Sequence, residues 1–297
     1  MIETPVVFRA GDNDLFGIVS SPEANPRGTG VTILAGGRYA ASCGRNRVAV
    51  RLAEQLCADG YTALRFDYHG VGDSSGTIDG FRSNRPFVED VQGAVECLRE
   101  FGVTRHIAIG DCFGARTALE SIDRVPELEA LLLVSLPLRD FARGEDSALR
   151  MAERVSIAGY GRKLLSGDVW RSLRNRKLRR AYRSIIGVKV KHVARSVASG
   201  GSEDAWLSRS AVARLEEASD RGMPVLMLYG TDEHYYEDFE RAVGGRLGPV
   251  LEAAPRTEVK TVPGHMHAFR SLEAQELFLD IAREWLQRND VPAAGGR

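Results

Sequence analysis

The residue pattern with the clearest chemical meaning is a cysteine flanked by glycines, Gly110-Asp111-Cys112-Phe113-Gly114. An apolar run precedes it and a helix-forming run follows it. The pattern therefore predicts a strand, a sharp turn that carries Cys112, and a helix. The glycines suit the close backbone contacts of such a turn, and the dipole of the helix would favour the thiolate. This predicts a nucleophilic cysteine; a buried structural cysteine is the alternative.

Two further polar clusters each follow an apolar run later in the chain. The first contains Asp232 and Glu233, and the second contains His265 and His267. A carboxylate can hold a histidine in one tautomer, and that histidine can accept the thiol proton and pass it to a leaving group. The order nucleophile, acid, histidine therefore predicts a triad for acyl transfer.

The elements that would position these residues are short buried strands alternating with amphipathic helices. Apolar runs predict six strands, at residues 31–35, 62–66, 106–109, 131–136, 225–229 and 258–262. Helical spacing predicts four helices, at residues 46–59, 87–101, 115–122 and 278–286. Residues 5–21 favour an antiparallel hairpin. The alternation predicts a mostly parallel sheet covered on both faces, with ligands beyond the carboxyl ends of its strands.

Residues 139–222 interrupt this alternation. Between Arg162 and Arg195 lie 12 Lys or Arg and one acidic residue, Asp168, so this segment has a net charge of +11 in a chain whose net charge is zero. Apolar residues interleave with the charges, as is typical of amphipathic helices. We expect four segments: a core segment 1–138, a basic helical cap 139–222, a second core segment 223–290 and a disordered tail 291–297.

The composition excludes several classes of protein. Forty basic residues balance 40 acidic ones, which argues against a general nucleic-acid binder. The chain has neither an apolar run long enough to span a membrane nor a recognisable secretory signal. Four cysteines without paired spacing predict neither a disulfide framework nor a zinc site. We expect a cytoplasmic protein without metal or cofactor, and the sequence leaves its oligomeric state open.

Four segments together resemble the α/β-hydrolase superfamily: residues 34–37, 64–74, 110–114 and 262–269. The chain is similar to the serine-aminopeptidase-like (S33) branch. It is also similar to the exosortase A system-associated hydrolases, which share the Arg-Phe-Asp-Tyr run, a cysteine elbow and the Pro-Gly-x-x-His-x-Phe ending. The resemblance implies an α/β-hydrolase fold, with a mostly parallel central sheet flanked by helices and a helical cap after the fourth parallel strand.

The resemblance also assigns the members of the triad. It makes Cys112 the nucleophile and His267 the histidine, with His265 as the alternative. The candidates for the acid, in order of preference, are Asp232, Glu233 and Asp140. We favour Asp232 because a shorter carboxylate usually performs this task.

The oxyanion hole of this fold combines two backbone N–H groups, one after the nucleophile and one in the loop after an early strand. Here they would come from Phe113 and from the loop that contains Gly37 and Arg38. The Arg38 side chain could also bind an acidic substrate; a plain surface arginine is the alternative. We interpret residues 67–70 as a structural turn.

These residues predict an enzyme of a biosynthetic pathway that hydrolyses an ester or thioester through an acyl-cysteine. A thioester also reacts well with thiols, amines and carbon nucleophiles. An acyltransferase, cyclase or eliminase is therefore the first alternative, and a non-catalytic binding module is the second. The basic cap predicts an acidic partner, such as an acyl carrier protein or coenzyme A. A merely solvated cap and a cap that binds anionic lipid are the alternatives there.

Overall fold

The computed structural model describes residues 1–37, 42–140 and 206–289. Its centre is an eight-stranded sheet of order β1-β2-β4-β3-β5-β6-β7-β8. The strands are β1 (Ile2–Ala10), β2 (Asn13–Ser21), β3 (Thr29–Leu34), β4 (Thr62–Phe66), β5 (Arg105–Asp111), β6 (Leu128–Val134), β7 (Val225–Gly230) and β8 (Thr257–Val262). The pairs β1–β2 and β2–β4 are antiparallel and the other five are parallel. This confirms the predicted mostly parallel sheet.

Seven α-helices connect or flank these strands within the described residues. They are α1 (Val48–Ala58), α2 (Val88–Glu100), α3 (Phe113–Glu120), α4 (Arg209–Asp220), α5 (His234–Val243), α6 (Leu247–Glu252) and α7 (Leu272–Asn289). The four predicted helices correspond to α1, α2, α3 and α7. Helices α5 and α6 lie between β7 and β8, where the sequence analysis predicted none. They are short, and the glycines at 244 and 245 interrupt their periodic pattern.

The inner strands are apolar because helices cover both of their faces. Every residue of β3, β4 and β7 is buried. On one face, Ile109 of β5 and Leu52 of α1 belong to the same apolar cluster as Trp285 of α7. By contrast, Glu258 is half-buried and Lys260 exposed on the edge strand β8, as is usual for edges that do not pair further.

The chain divides into two compact units, Met1–Arg139 with Ser208–Arg297, and Asp140–Leu207. Helix α4 therefore belongs to the first unit, although the sequence analysis includes it in the interval 139–222. The buried Arg116 guanidinium of α3 explains this, because it donates to the hydroxyls of Ser208 (2.5 Å) and Ser210 (2.9 Å) at the start of α4. The basic stretch of residues 162–195 and the tail 291–297 lie outside the described residues, so cap and tail stay predictions.

Arg139, which ends the first stretch of this unit, is also held by buried hydrogen bonds. The buried Arg139 guanidinium donates to Asp238 of α5 at 2.7 and 2.9 Å, and Ser83 donates to the Arg139 carbonyl at 2.7 Å. Breaking a buried ion pair on one side costs about 3–5 kcal/mol. Buried hydrogen bonds thus hold the backbone of the first unit at Arg139 and at Ser208.

Candidate active site

Cys112 occupies a strained turn between β5 and α3. Its φ of 52° and ψ of −113° lie in a region that residues other than glycine rarely adopt. Its N–H donates to the carbonyl of Val134 in the neighbouring strand at 2.8 Å. The side chain is 8% exposed. A thiol therefore lies at the carboxyl end of the central strand and at the N-terminus of α3, as the sequence predicted.

The flanking glycines are required by close packing. A Cβ on Gly110 would overlap the backbone of Gly114, and a Cβ on Gly114 would overlap the carbonyl of Leu34 in β3. Neither clash involves the flexible end of a side chain, so only a backbone shift would relieve it. The elbow is therefore built for close contact of β3, β5 and α3 around Cys112.

The structure separates the two leading acid candidates. The Asp232 side chain is exposed, and its carboxylate accepts from Thr231 at 3.3 Å. Glu233 is 2% exposed. One of its oxygens accepts from the Ser135 hydroxyl at 2.6 Å, and the other accepts from the backbone N–H groups of Met266 and His267. Glu233, which we ranked second, is thus the carboxylate that contacts the histidine loop.

Asp140, the third candidate for the acid, is exposed. The local backbone places Asp232, which we ranked first, differently from Glu233. The N–H of Asp232 donates to the Gly264 carbonyl at 3.0 Å, and the next residue, Glu233, is extended (φ −98°, ψ 142°) before α5 begins. Of this neighbouring pair, the side chain of Glu233 is buried and that of Asp232 is exposed.

The histidine loop distinguishes His267 from His265. His265 is exposed, whereas His267 is half-buried and its ring packs edge-on against Tyr235, with the ring centroids 5.1 Å apart. The next residue, Ala268, has a φ of 60°. The Glu233 carboxylate, bound to the backbone of this loop, holds it in that tight conformation.

Tyr235 is a site residue that the sequence analysis missed. Its hydroxyl oxygen lies 3.2 Å from the sulfur of Cys112, and its side chain is 4% exposed. It lies in the first turn of α5, two positions after Glu233. A helix beginning directly after Glu233 would have been the signal for it, but α5 was not predicted.

Asp111, beside Cys112, is a buried carboxyl that the sequence did not single out. A Cβ on Gly36 would lie 2.5 Å from its Oδ2, so the carboxyl packs against the predicted oxyanion loop. The N–H of Ala268 points at its other oxygen from 3.5 Å. Burial is the main cause that raises the pKa of Asp111 to about 7; the Ala268 N–H and Arg45 oppose this, and the Glu233 charge adds to it.

This raised pKa predicts a pH-dependent stability. Between about pH 4 and 7 the native state retains a proton that the unfolded state has lost, so the free energy of unfolding falls as pH rises through this window. The pKa difference corresponds to on the order of 4 kcal/mol. We expect Asp111→Asn to remove this loss. Urea unfolding of both proteins across the window measures it, and a constant difference between them contradicts the assignment.

The structure describes the surroundings of two of the three residues predicted for the oxyanion hole, Phe113 and Gly37. The Phe113 ring is packed edge-on against Tyr68, Phe81 and Phe87, with centroids 4.9–6.0 Å away, which fixes the start of α3. The Tyr68 hydroxyl donates to the Ala35 carbonyl at 3.2 Å, just before the predicted oxyanion loop. Gly37 in that loop is buried, with a φ of 125°. Arg38 lies outside the described residues.

The turn after β4 is structural, as we interpreted it. Buried Asp67 accepts from the N–H groups of Ser42 (2.6 Å) and Asp73 (3.1 Å). His69 bonds to the carboxylate of Asp90 at 2.9 Å, a hydrogen bond that raises the pKa of the imidazole. These side chains hold the loop together.

The remaining potential nucleophiles and metal ligands are arranged differently. Burial raises the pKa of the Cys57 and Cys97 thiols to about 11, so both stay protonated at neutral pH. Cys43 is free and exposed. Within residues 1–37, 42–140 and 206–289, no three His, Cys, Asp or Glu side chains form a group that could hold a metal ion. No helix in the same ranges is long and apolar enough to cross a membrane.

Comparison with known families places this site in context. The family model described as Serine aminopeptidase, S33, matches residues 38–269, which is most of the chain. The chain belongs to the serine aminopeptidase S33 family. This confirms the predicted α/β-hydrolase fold and its S33 branch. The family is named for serine enzymes, whereas this S33 member carries Cys112 at the elbow.

A curated relative covers only part of the S33 chain. A Rickettsia prowazekii protein described as uncharacterized is 29% identical over 125 residues, which is 41% of this chain and 49% of that protein. The chain thus spans about half the length of this relative.

Solved structures share the fold at low sequence identity. The proline iminopeptidase of Mycobacterium smegmatis is 18% identical with a TM-score of 0.58, covering 96% of this chain and 98% of the other. An esterase of Pyrococcus furiosus is 16% identical with a TM-score of 0.60, covering 97% and 91%. Est1E of Butyrivibrio proteoclasticus, with bound ferulic acid, is 14% identical with a TM-score of 0.57, covering 96% and 98%.

Proposed function

We propose that this S33-family chain is an esterase or thioesterase that works through an acyl-cysteine, with Cys112 as nucleophile, His267 as base and Glu233 as acid. The observation that carries the proposal is the strained conformation of Cys112 at the start of α3, between glycines that allow no side chain. Strain at one residue persists where the surrounding structure imposes it, and such residues concentrate at active sites.

In the proposed reaction, His267 takes the proton from the Cys112 sulfur, and the sulfur attacks the carbonyl carbon of the substrate. The carbonyl electrons move to the oxygen, which the N–H groups of Phe113 and Gly37 stabilise. The bond from carbon to the leaving oxygen or sulfur then breaks, and His267 gives its proton to the departing alcohol or thiol. Water, activated by the same imidazole, releases the acid. Glu233 orients His267 and stabilises the imidazolium.

Acyl transfer is the second candidate function, and the cysteine favours it. The intermediate would be a thioester, which reacts well with thiols, amines and carbon nucleophiles as well as with water. A transferase, cyclase or eliminase on this fold would share every step up to the acyl-cysteine. The two candidates therefore differ only in what removes the acyl group.

The partner and the setting are proposed from the sequence. The net charge of +11 between residues 162 and 195 would attract an acyl carrier protein or the phosphates of coenzyme A. The setting proposed for such a carrier-bound substrate is a biosynthetic pathway. The free cysteines, one of them exposed, support a reducing compartment such as the cytoplasm.

Intact-mass spectrometry tests the proposal. The protein is incubated with acyl thioesters, activated esters and aminoacyl amides, the last to include aminopeptidase chemistry. We expect turnover of the first two classes and, after rapid quenching, an added acyl mass on the protein. Digestion and peptide mass spectrometry should place this mass on the peptide that contains Cys112. A long-lived adduct that a thiol or amine discharges assigns the transferase. Cleavage of aminoacyl amides alone, or neither adduct nor turnover with any class, overturns the proposal.

A further inference from the structure

We infer that Tyr235 is a further catalytic residue: its hydroxyl donates a hydrogen bond to the Cys112 sulfur and stabilises the thiolate that attacks the substrate. The inference deepens the proposed function and rests on it, because it takes Cys112 as the nucleophile. It starts from the distance of 3.2 Å between the Tyr235 oxygen and the sulfur, at a buried position.

The direction of this hydrogen bond follows from the chemistry of the two groups. In the resting thiol either atom can donate. Once the sulfur has lost its proton to His267, only the Tyr235 hydroxyl can donate. It keeps its proton because a phenol ordinarily ionises at about pH 10, whereas a thiol ionises at about pH 8.5. The tyrosine keeps its own proton throughout, so no further acid or base is needed. Its hydrogen bond strengthens when the sulfur becomes negative.

The ring of Tyr235 is held on more than one side. It lies against the His234 ring, with the centroids 4.0 Å apart, and edge-on against the His267 ring at 5.1 Å. It follows Glu233 by two positions in the chain. One short segment at the start of α5 thus supplies the carboxylate that holds the histidine loop and the hydroxyl that reaches the sulfur. A donor fixed in this way loses little conformational freedom when the thiolate forms.

The Tyr235 hydroxyl should favour formation of the thiolate and should affect the later steps of the reaction much less. When the sulfur is acylated it carries no charge, so the hydrogen bond weakens and no longer favours the sulfur. A hydrogen bond to a thiolate also lowers its intrinsic reactivity, because nucleophilicity falls with the basicity of the sulfur. Loss of the hydroxyl should therefore impair the enzyme at neutral and low pH but not at high pH.

Tyr235→Phe tests the inference, and Tyr236→Phe is the matched control. Tyr236 is the next residue of the same helix, and its hydroxyl bonds to Glu240. The rate of alkylation of Cys112 by iodoacetamide is measured against pH, with the modified cysteine identified by peptide mass spectrometry. We expect the midpoint of the Tyr235→Phe profile to rise by about 1 to 2 pH units. The limiting rate at high pH should be equal or higher, and Tyr236→Phe should match the wild type.

Acyl transfer supplies a second readout. At pH values below the midpoint, Cys112 of the Tyr235→Phe variant should be acylated at least about tenfold more slowly than in the wild type. High pH should restore the rate. A purely structural loss would lower the rate at every pH. Thermal unfolding of the variant sets the temperature of the assay, so that both proteins are compared folded.

The outcomes separate this inference from the proposed function, because alkylation needs no bound substrate. Coincident profiles for wild type and Tyr235→Phe overturn the role of Tyr235 and leave the triad standing. If the profile of Tyr235→Phe is shifted but no substrate acylates the protein, the hydrogen bond to the thiolate is upheld and the proposed function is overturned. An equal shift in Tyr236→Phe also contradicts the inference, because it would show that the effect does not require contact with the sulfur.

Discussion

Replacing Cys112 by alanine is expected to lower the turnover of thioesters or esters by about 10⁴-fold or more, because it removes only the atom that forms the acyl-enzyme. Alanine keeps the Cβ that the turn already accommodates at a φ of 52°. The oxyanion donors and the substrate contacts would remain, so slow residual turnover is expected. Steady-state kinetics measures the loss, and the acyl mass should be absent from the variant.

Cys43→Ala is the control for this prediction. Cys43 is exposed, and removing an exposed thiol should change turnover by no more than about twofold. Cys57 and Cys97 are poor substitutes as nucleophiles, since burial raises the pKa of each thiol to about 11. If Cys112→Ala keeps a tenth or more of the wild-type turnover, another group carries the reaction and the proposed nucleophile is wrong.

Replacing Glu233 by glutamine is expected to lower turnover by about 10² to 10⁴-fold. The amide retains the size of the side chain but loses the negative charge that stabilises the imidazolium of His267. The amide oxygen of the glutamine can still accept from the Met266 and His267 N–H groups, while the NH₂ group of the same amide faces the Ser135 hydroxyl. The loop should therefore stay in place while the chemical step slows. The loss should appear in kcat, and thermal unfolding should show a folded variant.

Asp232→Asn is the matched control, because the two carboxylates are neighbours in the chain and make the same change of charge. Asp232 is exposed, and in the contacts described its carboxylate bonds only to the neighbouring Thr231. We expect its variant to retain turnover within about twofold. A large loss in Asp232→Asn together with an active Glu233→Gln would reverse the assignment of the acid.

Much of the fold was predictable because its signals are local. The inner strands of a parallel sheet are buried on both faces, so β3 and β7 read as short apolar runs in the sequence. The elbow around Cys112 was predictable for a related reason. Its glycines are required by the backbone itself, whatever side chains surround them.

The features that were missed depend on contacts between residues far apart in the chain. Helix α5 is only ten residues long, five of them charged residues or histidine, and its Phe239 packs against Tyr229 of β7. Without that helix, Tyr235 had no predicted position. Helix α4 has clear amphipathic spacing, but its attachment to the core depends on the buried Arg116, which lies far from it in the chain.

The sequence alone predicts the parallel strands, four of the helices, the elbow at Cys112 and the strand ends that carry the proposed acid and histidine. Residue type and spacing decide these features, because carboxyl ends of parallel strands meet at one edge of the sheet. The folded structure is needed to see that Glu233 rather than Asp232 bonds to the histidine loop and that Tyr235 contacts the sulfur. Adjacent residues of similar chemistry differ there only in direction. That direction depends on how the chain leaves β7 and enters α5, which is set by packing across the sheet.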